Sequence, residues 1–354
     1  NPPYVEYAKV KEQYSIGDYR TEKCGNLYSF VVERSTLLLF PTGSFGMILP
    51  MSLISTKRMT TVHNVLAQVM RCLYISSYSG DAHPSILFNG VKMRLSIVLS
   101  QRKSTMDDKS KLFLTSFQRW YAEARPQVFQ SISYVFVPEG LQKNGLLPKI
   151  GTQTHLKILQ KMAARAKKIG HYVASNQSHS IYAHRIVAHF VKCFDFIPFF
   201  QNDRDGVKKS EDYKVFSFRT QRKAELTTAL LNSTCFYYFY LTYSDAYHCG
   251  RELILSFPCE LEKINKETID QIEKINERLM KNLQKTSVRR RIQYHGTGWI
   301  EYDEFYPRNS KPIIDEIDRV LAAHYGFTEE ELDFIINYDI KYRMGKELEN
   351  HNAV

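Results

Sequence analysis

The chain opens with four residues whose types suit the chemistry of an amino group on a flat ring. Asn1 carries a side-chain carbonyl oxygen, and Pro2 and Pro3 fix two φ angles and remove two N–H groups. The Asn oxygen and a proline carbonyl can each accept one N–H of the exocyclic amino group of adenine. Tyr4 then supplies a face for the ring, and such stacking is worth about 1–3 kcal/mol per base. These residues predict a clamp that holds an unstacked adenine and aims its N6 at a methyl donor. The alternative is a surface Pro-Pro turn, since so short a pattern also arises by chance.

Strands and helices alternate after this motif, which indicates an α/β fold. Apolar spacing predicts the following elements: a helix over 26–40, a buried strand of parallel-sheet type over 44–50, a helix over 60–70, and strands over 71–78 and 92–99. Later segments are predicted as a polar loop over 101–111, a domain boundary over 138–151, an amphipathic helix over 260–285, a basic cluster over 288–291 and a helical tail over 311–346, with a capping start at Thr328.

Length and composition indicate two domains with an appendage and a basic surface. The chain has 354 residues, and 48 Lys and Arg against 37 Asp and Glu give a net charge of +11. Such a surplus favours a polyanionic partner. Six cysteines without a C-x-x-C pair argue against a zinc ribbon and indicate a reduced, cytoplasmic protein. No apolar run is long enough to span a membrane, and no metal site is predicted.

Three segments follow the opening motif in a set order. Residues 26–33 are Asn-Leu-Tyr-Ser-Phe-Val-Val-Glu, residues 41–50 are Pro-Thr-Gly-Ser-Phe-Gly-Met-Ile-Leu-Pro, and residues 87–98 begin Leu-Phe-Asn-Gly-Val-Lys. With Asn1-Pro-Pro-Tyr4, they resemble motifs V, VI, VIII and IV of the N6-adenine DNA methyltransferases of restriction-modification systems, specifically the large, single-chain Eco57I-like group of type II enzymes. The resemblance covers residues 1–100 in order and spacing.

The resemblance implies roles for individual residues. Asn1, Pro2, Pro3 and Tyr4 would be catalytic, and Phe88 would stack on the other face of the flipped base. Phe30 and Val31 stand where the family's motif V contacts S-adenosylmethionine, although this chain departs there from the usual placement of the phenylalanine. A core position is the alternative for Phe88 and for the motif V helix.

The resemblance also implies the domain organisation. Residues 1–150 would be the C-terminal part of a Rossmann-like methyltransferase sheet, residues 151–258 a mixed α/β target-recognition domain, and residues 259–354 a helical C-terminal region. Basic residues of the second domain, expected to contact double-stranded DNA, are Lys161, Arg165, Lys167, Lys168 and Arg185. The first four are predicted to form a stripe on a helix, and a solvated helix face is the alternative.

The main S-adenosylmethionine motif of the family, a Gly-rich turn, precedes the Asn-Pro-Pro-Tyr motif and has no counterpart in this sequence. We therefore expect that this chain is part of a longer enzyme, requires the missing N-terminal part as a partner, and does not methylate alone. The predicted function is site-specific adenine N6-methylation of DNA. The alternatives are a DNA-binding specificity module without catalysis and a methyltransferase acting on RNA or protein.

Overall fold

The computed structural model describes residues 1–345 except 14, 81–85, 89, 106–108, 144, 176 and 296–297. It divides the chain into two compact units. Unit 1 consists of Asn1–Gln160 with Leu241–Asp245, and unit 2 of Lys161–Tyr240 with Ala246–Val354. The functional domain bounds at 150 and 258 stay predictions. No helix of the described residues is long and apolar enough to cross a membrane.

Unit 1 contains one mixed sheet with helices. Its elements are α1 (Leu27–Leu38), β1 (Ser44–Pro50), α2 (Ser52–Ser55), α3 (Thr60–Val69), β2 (Met70–Tyr78), β3 (Leu95–Arg102), β4 (Lys111–Gln118), β5 (Val135–Phe136) and α4 (Gln153–Ala163), which continues into unit 2. The helix predicted over 26–40 and the helix and strand predicted over 60–78 are confirmed to within two residues.

The sheet of unit 1 has the strand order β1-β3-β2-β4-β5. Strand β3 runs antiparallel to both β1 and β2, whereas β2 and β4 are parallel. The pairing aligns Pro50, Leu95, Tyr78 and Gln118 in one row. Strands β1, β2 and β4 therefore all end at the same place, which we call the C-terminal edge of the sheet.

Local sequence explains where α1 begins and how it is fixed. Asn26 Oδ1 accepts a hydrogen bond from Tyr28 N at 3.3 Å, which caps the first turn. Glu33 is buried on the inner face of α1, where its carboxylate accepts bonds from Thr21 N at 2.9 Å and Thr21 Oγ1 at 2.8 Å. A buried carboxylate needs such donors, and they tie the turn at 20–24 to the helix.

Unit 2 contains two smaller antiparallel sheets and most of the helices. Its elements are β6 (His179–His184), β7 (Cys193–Phe194), β8 (Phe200–Asn202), β9 (Gly206–Val207), β10 (Tyr213–Phe218), α5 (Gln221–Asn232), α6 (Thr234–Tyr243), α7 (Arg251–Leu255), α8 (Lys266–Lys285), β11 (Val288–Tyr294), β12 (Gly298–Glu304), α9 (Lys311–Tyr325), α10 (Glu329–Ile336) and α11 (Ile340–Arg343). The sheet orders are β10-β6-β7 and β11-β12-β8-β9.

A buried carboxylate joins two helices of unit 2. Asp318 on α9 is fully buried and accepts hydrogen bonds from Thr234 N at 3.1 Å and Cys235 N at 3.0 Å. These are N–H groups of the first turn of α6, which lack partners within the helix. The Thr328 capping box is confirmed too, because Thr328 and Glu331 exchange backbone-to-side-chain bonds at 2.8 and 3.2 Å.

Two sequence-based expectations about elements were wrong, and one strand was missed. Strand β1 lies where it was predicted, but it pairs antiparallel and its residues Ser44 and Gly46 are exposed. Strand β4 was not predicted beside the polar loop. The basic cluster over 288–291 is part of a β-hairpin in the region that was expected to be helical. Cross-strand pairs, among them Arg289 with Asp303, stabilise this hairpin, and local periodicity does not show them.

Lys149 is a buried cation that fixes the segment 241–245 in unit 1. Its side chain is 1% exposed, and Nζ donates to Thr242 O at 3.0 Å and Ser244 O at 2.6 Å. Burial lowers the pKa of Lys149 to about 7, and the nearby Asp245 opposes this shift. The neutral amine can donate both hydrogen bonds, so the contacts do not require the charge.

We predict that Lys149 makes the stability of unit 1 depend on pH. The unfolded lysine, with a pKa of 10.5, binds a proton that the folded lysine has lost above a pH of about 7. The lysine's contribution to stability is therefore present above that unfolded pKa and is lost as the pH falls toward 7. Lys149→Met should lower the urea midpoint more at about pH 9 than at about pH 7.

Lys92→Met, which removes an exposed lysine of the same unit, is the control. If the Lys149→Met variant keeps the pH dependence of the wild-type midpoint, Lys149 is not its source.

Candidate functional site

Tyr4 is fixed at the C-terminal edge of the sheet. Its hydroxyl lies 2.8 Å from Ile48 O on β1 and 2.5 Å from Asn1 Oδ1. Its ring packs against a group of buried side chains that we call the edge cluster. The edge cluster consists of Tyr78, Leu87, Leu95, Trp120 and Val128. The aromatic residue of the opening motif is therefore part of the folded structure and not of a free turn.

The two contacts of the Tyr4 hydroxyl constrain the orientation of Asn1. A phenol has one proton, so it can donate to only one of two oxygens. Partial burial raises the pKa of Tyr4, so the phenol keeps that proton at neutral pH. The Tyr4–Asn1 contact has the length of an O–H···O bond and is shorter than an N–H···O bond, so the phenol donates its proton in turn to Asn1 Oδ1 and to Ile48 O. A carbonyl oxygen has two lone pairs, so Asn1 Oδ1 can still accept a second hydrogen bond.

The backbone that follows Tyr4 is anchored to the start of α1. Val5 O accepts from Leu27 N at 2.9 Å, and Tyr7 N donates to Gly25 O at 3.0 Å. Pro2 is buried, whereas Asn1 and Pro3 are exposed. The motif is thus anchored to β1 through Tyr4 and to the start of α1 through the backbone that follows, whereas Asn1 is exposed to solvent.

Phe88 lies on a turn that the edge cluster supports. Leu87 belongs to the cluster, and its carbonyl accepts a hydrogen bond from Arg125 Nη2 at 2.8 Å. Phe88 O accepts from Val91 N at 3.1 Å, and the Phe88 side chain is 37% exposed. Asn89 of the same motif lies outside the described residues. The edge cluster therefore brings Tyr4 together with Leu87, the residue that precedes Phe88.

The residues expected at the cofactor occupy a different environment. The Phe30 ring is 5% exposed and contacts Tyr7 edge-on at 5.4 Å and Tyr19 in a stacked arrangement at 5.9 Å. Val31 is half-buried. The Phe30 ring is therefore packed against two tyrosines, and the contact of Phe30 and Val31 with a cofactor stays a prediction.

Of the five basic residues predicted to contact DNA, the four expected to form a stripe on a helix do not form one. Helix α4 ends at Ala163, so only Lys161 lies on it, and this part of the expectation was wrong. Three of the five pair with carboxylates: Lys161 with Glu331 at 2.6 Å, Lys167 with Glu262 at 3.1 Å, and Arg185 with Asp212 at 2.7 Å. Arg165 Nη2 donates to His324 O at 2.6 Å, and Lys168 is exposed. Their contact with DNA stays a prediction.

Several residues of the site were not found from the sequence. Tyr78 and Trp120 form an edge-to-face pair at 6.3 Å within the edge cluster. The Trp120 Nε1 atom is buried and has no hydrogen-bond partner among the described residues. Exposed cations also lie near this edge, with Lys92 just before β3 and Arg125 just after β4. Trp120 is one of two tryptophans and lies two residues after the end of β4, which was the available signal.

We predict that Tyr4→Phe destabilises unit 1 by about 1 kcal/mol, because Ile48 O loses its donor at a partly buried position. Urea unfolding measures this change. Tyr19→Phe is the matched control, since no hydrogen bond of the Tyr19 hydroxyl is recorded among the described residues. Equal stability of the Tyr4→Phe variant and the wild type would show that the hydroxyl does not anchor the motif.

Comparison with known proteins gives limited likenesses. No protein-family model and no curated protein sequence matches the chain. Among solved structures, the DrdV–DNA complex seen by cryo-electron microscopy aligns with a TM-score of 0.31 and 14% identity, over 53% of this chain and 22% of that one. The ATP-dependent type ISP restriction-modification enzyme LlaBIII bound to DNA aligns with a TM-score of 0.36 and 11% identity, over 79% of this chain and 29% of that one. The chain thus spans less than a third of either protein, and its function has to be argued from its own residues.

Proposed function

We propose that this chain provides the base clamp and the DNA-binding part of a site-specific DNA methyltransferase that acts on N6 of adenine. The proposal depends on one observation: Tyr4 is fixed at the C-terminal edge of the sheet, with Asn1 beside it and the Leu87–Phe88 turn on the same edge cluster. In open α/β sheets, ligands bind outside the carboxyl ends of the strands, which is where this motif lies.

The geometry suits an amino group attached to an aromatic ring. Asn1 is exposed, and the second lone pair of its Oδ1 can accept one N–H of the base. The Tyr4 ring, partly buried against the edge cluster, offers a stacking surface whose position is already set. Because these groups are placed before the base arrives, little ordering accompanies its binding.

S-Adenosylmethionine would supply the methyl group: the adenine nitrogen would form the new N–C bond as the donor's S–C bond breaks, and an amino proton would leave to solvent. The role of Asn1 is to align the nitrogen lone pair by accepting its N–H. The role of Tyr4 and Phe88 is to keep the base out of the duplex by stacking. Phe88 is suited to this role because its side chain is 37% exposed at this edge.

Cations near the clamp support an anionic partner. Lys92 and Arg125 are exposed at the same edge, and Arg125 also supports the Leu87 turn. Phosphates that flank a flipped nucleotide would lie near such side chains. The net charge of +11 agrees with a nucleic-acid partner.

The second candidate is a specificity module that binds DNA without catalysis. The predicted DNA contacts of the basic residues in unit 2 would serve either function, so these residues do not separate the two candidates. The two functions differ in what Asn1 does. A clamp needs the Asn1 acceptor for methyl transfer but hardly for affinity, whereas a binding module has no methylation to lose.

The test is the N6-methyladenine content of DNA from a bacterial host without adenine methylation that expresses the intact gene. Mass spectrometry of digested DNA should detect N6-methyladenine with the wild-type gene. Asn1→Ala and Tyr4→Ala should each lower methylation by about 100-fold or more, because the alignment and the stack are lost. DNA affinity, measured on the purified 354-residue chain, should change by about twofold or less for Asn1→Ala and by about tenfold or less for Tyr4→Ala, which also loses the stack.

Phe40→Ala is the matched control for loss of an aromatic ring, because Phe40 is 83% exposed beyond the end of α1. It should leave methylation unchanged. Absence of N6-methyladenine with the wild-type gene, combined with specific DNA binding, would favour the specificity module. A fall in affinity as large as the fall in methylation would contradict the clamp.

A further inference from the structure

One end of the four-stranded sheet in unit 2 presents cations and aromatic rings together. We call it the hairpin end. It consists of described residues where β11 ends and β12 begins, together with the neighbouring turn between β8 and β9, and its residues are Arg204, Arg291, Tyr294, His295 and Trp299. Strand β11 pairs only with β12 among the described residues, and all seven of its residues are exposed.

The start of β12 and the turn between β8 and β9 are joined by specific contacts. Trp299 N donates to Asp203 Oδ2 at 2.8 Å, and Asp203 N donates to Trp299 O at 3.2 Å. Gly298 has a φ of +74°, and a Cβ placed there would lie 2.6 Å from Asp203 Oδ2. A glycine is therefore required at this approach, and the Asp203 carboxylate serves to connect the two segments.

The arginines near the base of the hairpin are neutralised within the protein. Arg289 Nε donates to Asp303 Oδ1 at 2.6 Å, and its guanidinium lies 3.6 Å from the centre of the Phe199 ring. Arg290 Nε donates to Glu304 Oε2 at 2.7 Å. These side chains stabilise the hairpin, and their charges are balanced.

The cations of the hairpin end are paired less closely with carboxylates. The Arg291 guanidinium lies over the Trp299 ring at 4.7 Å, and no carboxylate accepts from it among the described residues. Glu301, which is opposite Arg291 in the register, accepts from Arg289. The Arg204 side chain is 89% exposed, and its Nε lies 3.8 Å from Oδ1 of Asp205, a carboxylate that also accepts from Lys208 at 2.6 Å.

We propose that the hairpin end enters a groove of duplex DNA. A two-stranded β-ribbon fits the major groove, and an arginine fork can bind phosphate or the O6 and N7 atoms of guanine. Trp299 holds the Arg291 guanidinium in place, which lowers the entropy lost when Arg291 binds. The inference rests on the proposed function in that the ligand is DNA, and of the residues of the hairpin end only Arg204 lies within the predicted recognition domain.

The test is the affinity of the 354-residue chain for a labelled duplex of mixed sequence, measured by fluorescence anisotropy over a range of salt concentrations. Arg291→Gln and Arg204→Gln should each weaken binding by about five- to tenfold and lower the salt slope by about one. The double variant should lower the slope by about two. Trp299→Phe should retain most of the affinity, and Trp299→Ala should weaken binding about as much as Arg291→Gln.

Lys266→Gln is the matched control, because it removes one exposed charge at the start of α8, about 28 Å along the helix from the end that leads into the hairpin. It should change affinity by about twofold or less. Thermal unfolding of each variant checks that it is folded. Arg291→Gln is the more direct test, because Trp299→Ala also removes the packing of the indole ring.

The outcomes separate this inference from the proposed function. A wild-type chain that does not bind duplex DNA would overturn both. A wild-type chain that binds while Arg291→Gln and Arg204→Gln bind equally well, with unchanged salt slopes, would overturn the hairpin-end proposal alone.

Discussion

The candidate site depends on the reversed direction of β3. Because β3 runs antiparallel between β1 and β2, these two strands are parallel to each other without pairing directly, and β4 continues in the same direction. Their ends therefore meet at one edge, where Tyr78 and Leu95 pack together as part of the edge cluster. Tyr4 then packs on this cluster and is hydrogen-bonded to Ile48 O. If β3 were parallel to its neighbours, Leu95 would lie at the opposite edge and the cluster would be divided.

The sequence predicted the elements whose signals are local. Apolar spacing places α1, α3 and β2 to within two residues, and the capping residues at Thr328 and Glu331 mark the start of α10. The direction of β1 and the existence of β11 depend on distant partners instead. Strand β11 contains consecutive arginines without an alternating apolar face, and Asp303 and Glu304 on β12 stabilise it. Such pairs become visible only when the strands are placed side by side.

The residues of the candidate site also fall into those that a local motif indicates and those that only tertiary contacts bring to the site. Tyr4 and Phe88 could be named because their residue types stand in short motifs. Trp120 and Arg125 could not, because they reach the site through tertiary contacts with Tyr78 and Leu87 O. For Phe30, the motif suggested contact with a cofactor, and that contact stays a prediction. Two tyrosines from the preceding segment pack against its ring, and no local pattern predicts this packing.

The surplus of positive charge is informative about DNA binding only when the partners of the individual cations are known. Exposed ion pairs contribute about 0–1 kcal/mol, so a phosphate could displace Glu262 from Lys167, where both side chains are about half exposed. Lys161 is different, because the Glu331 side chain that it pairs with is only 6% exposed and also accepts from Thr328 N. Removing Lys161 from that carboxylate would leave a buried charge uncompensated, which costs several kcal/mol. Of these two cations, only Lys167 can therefore turn to DNA without disturbing the fold. A net charge of +11 becomes informative about binding only when the cations with buried partners are set aside.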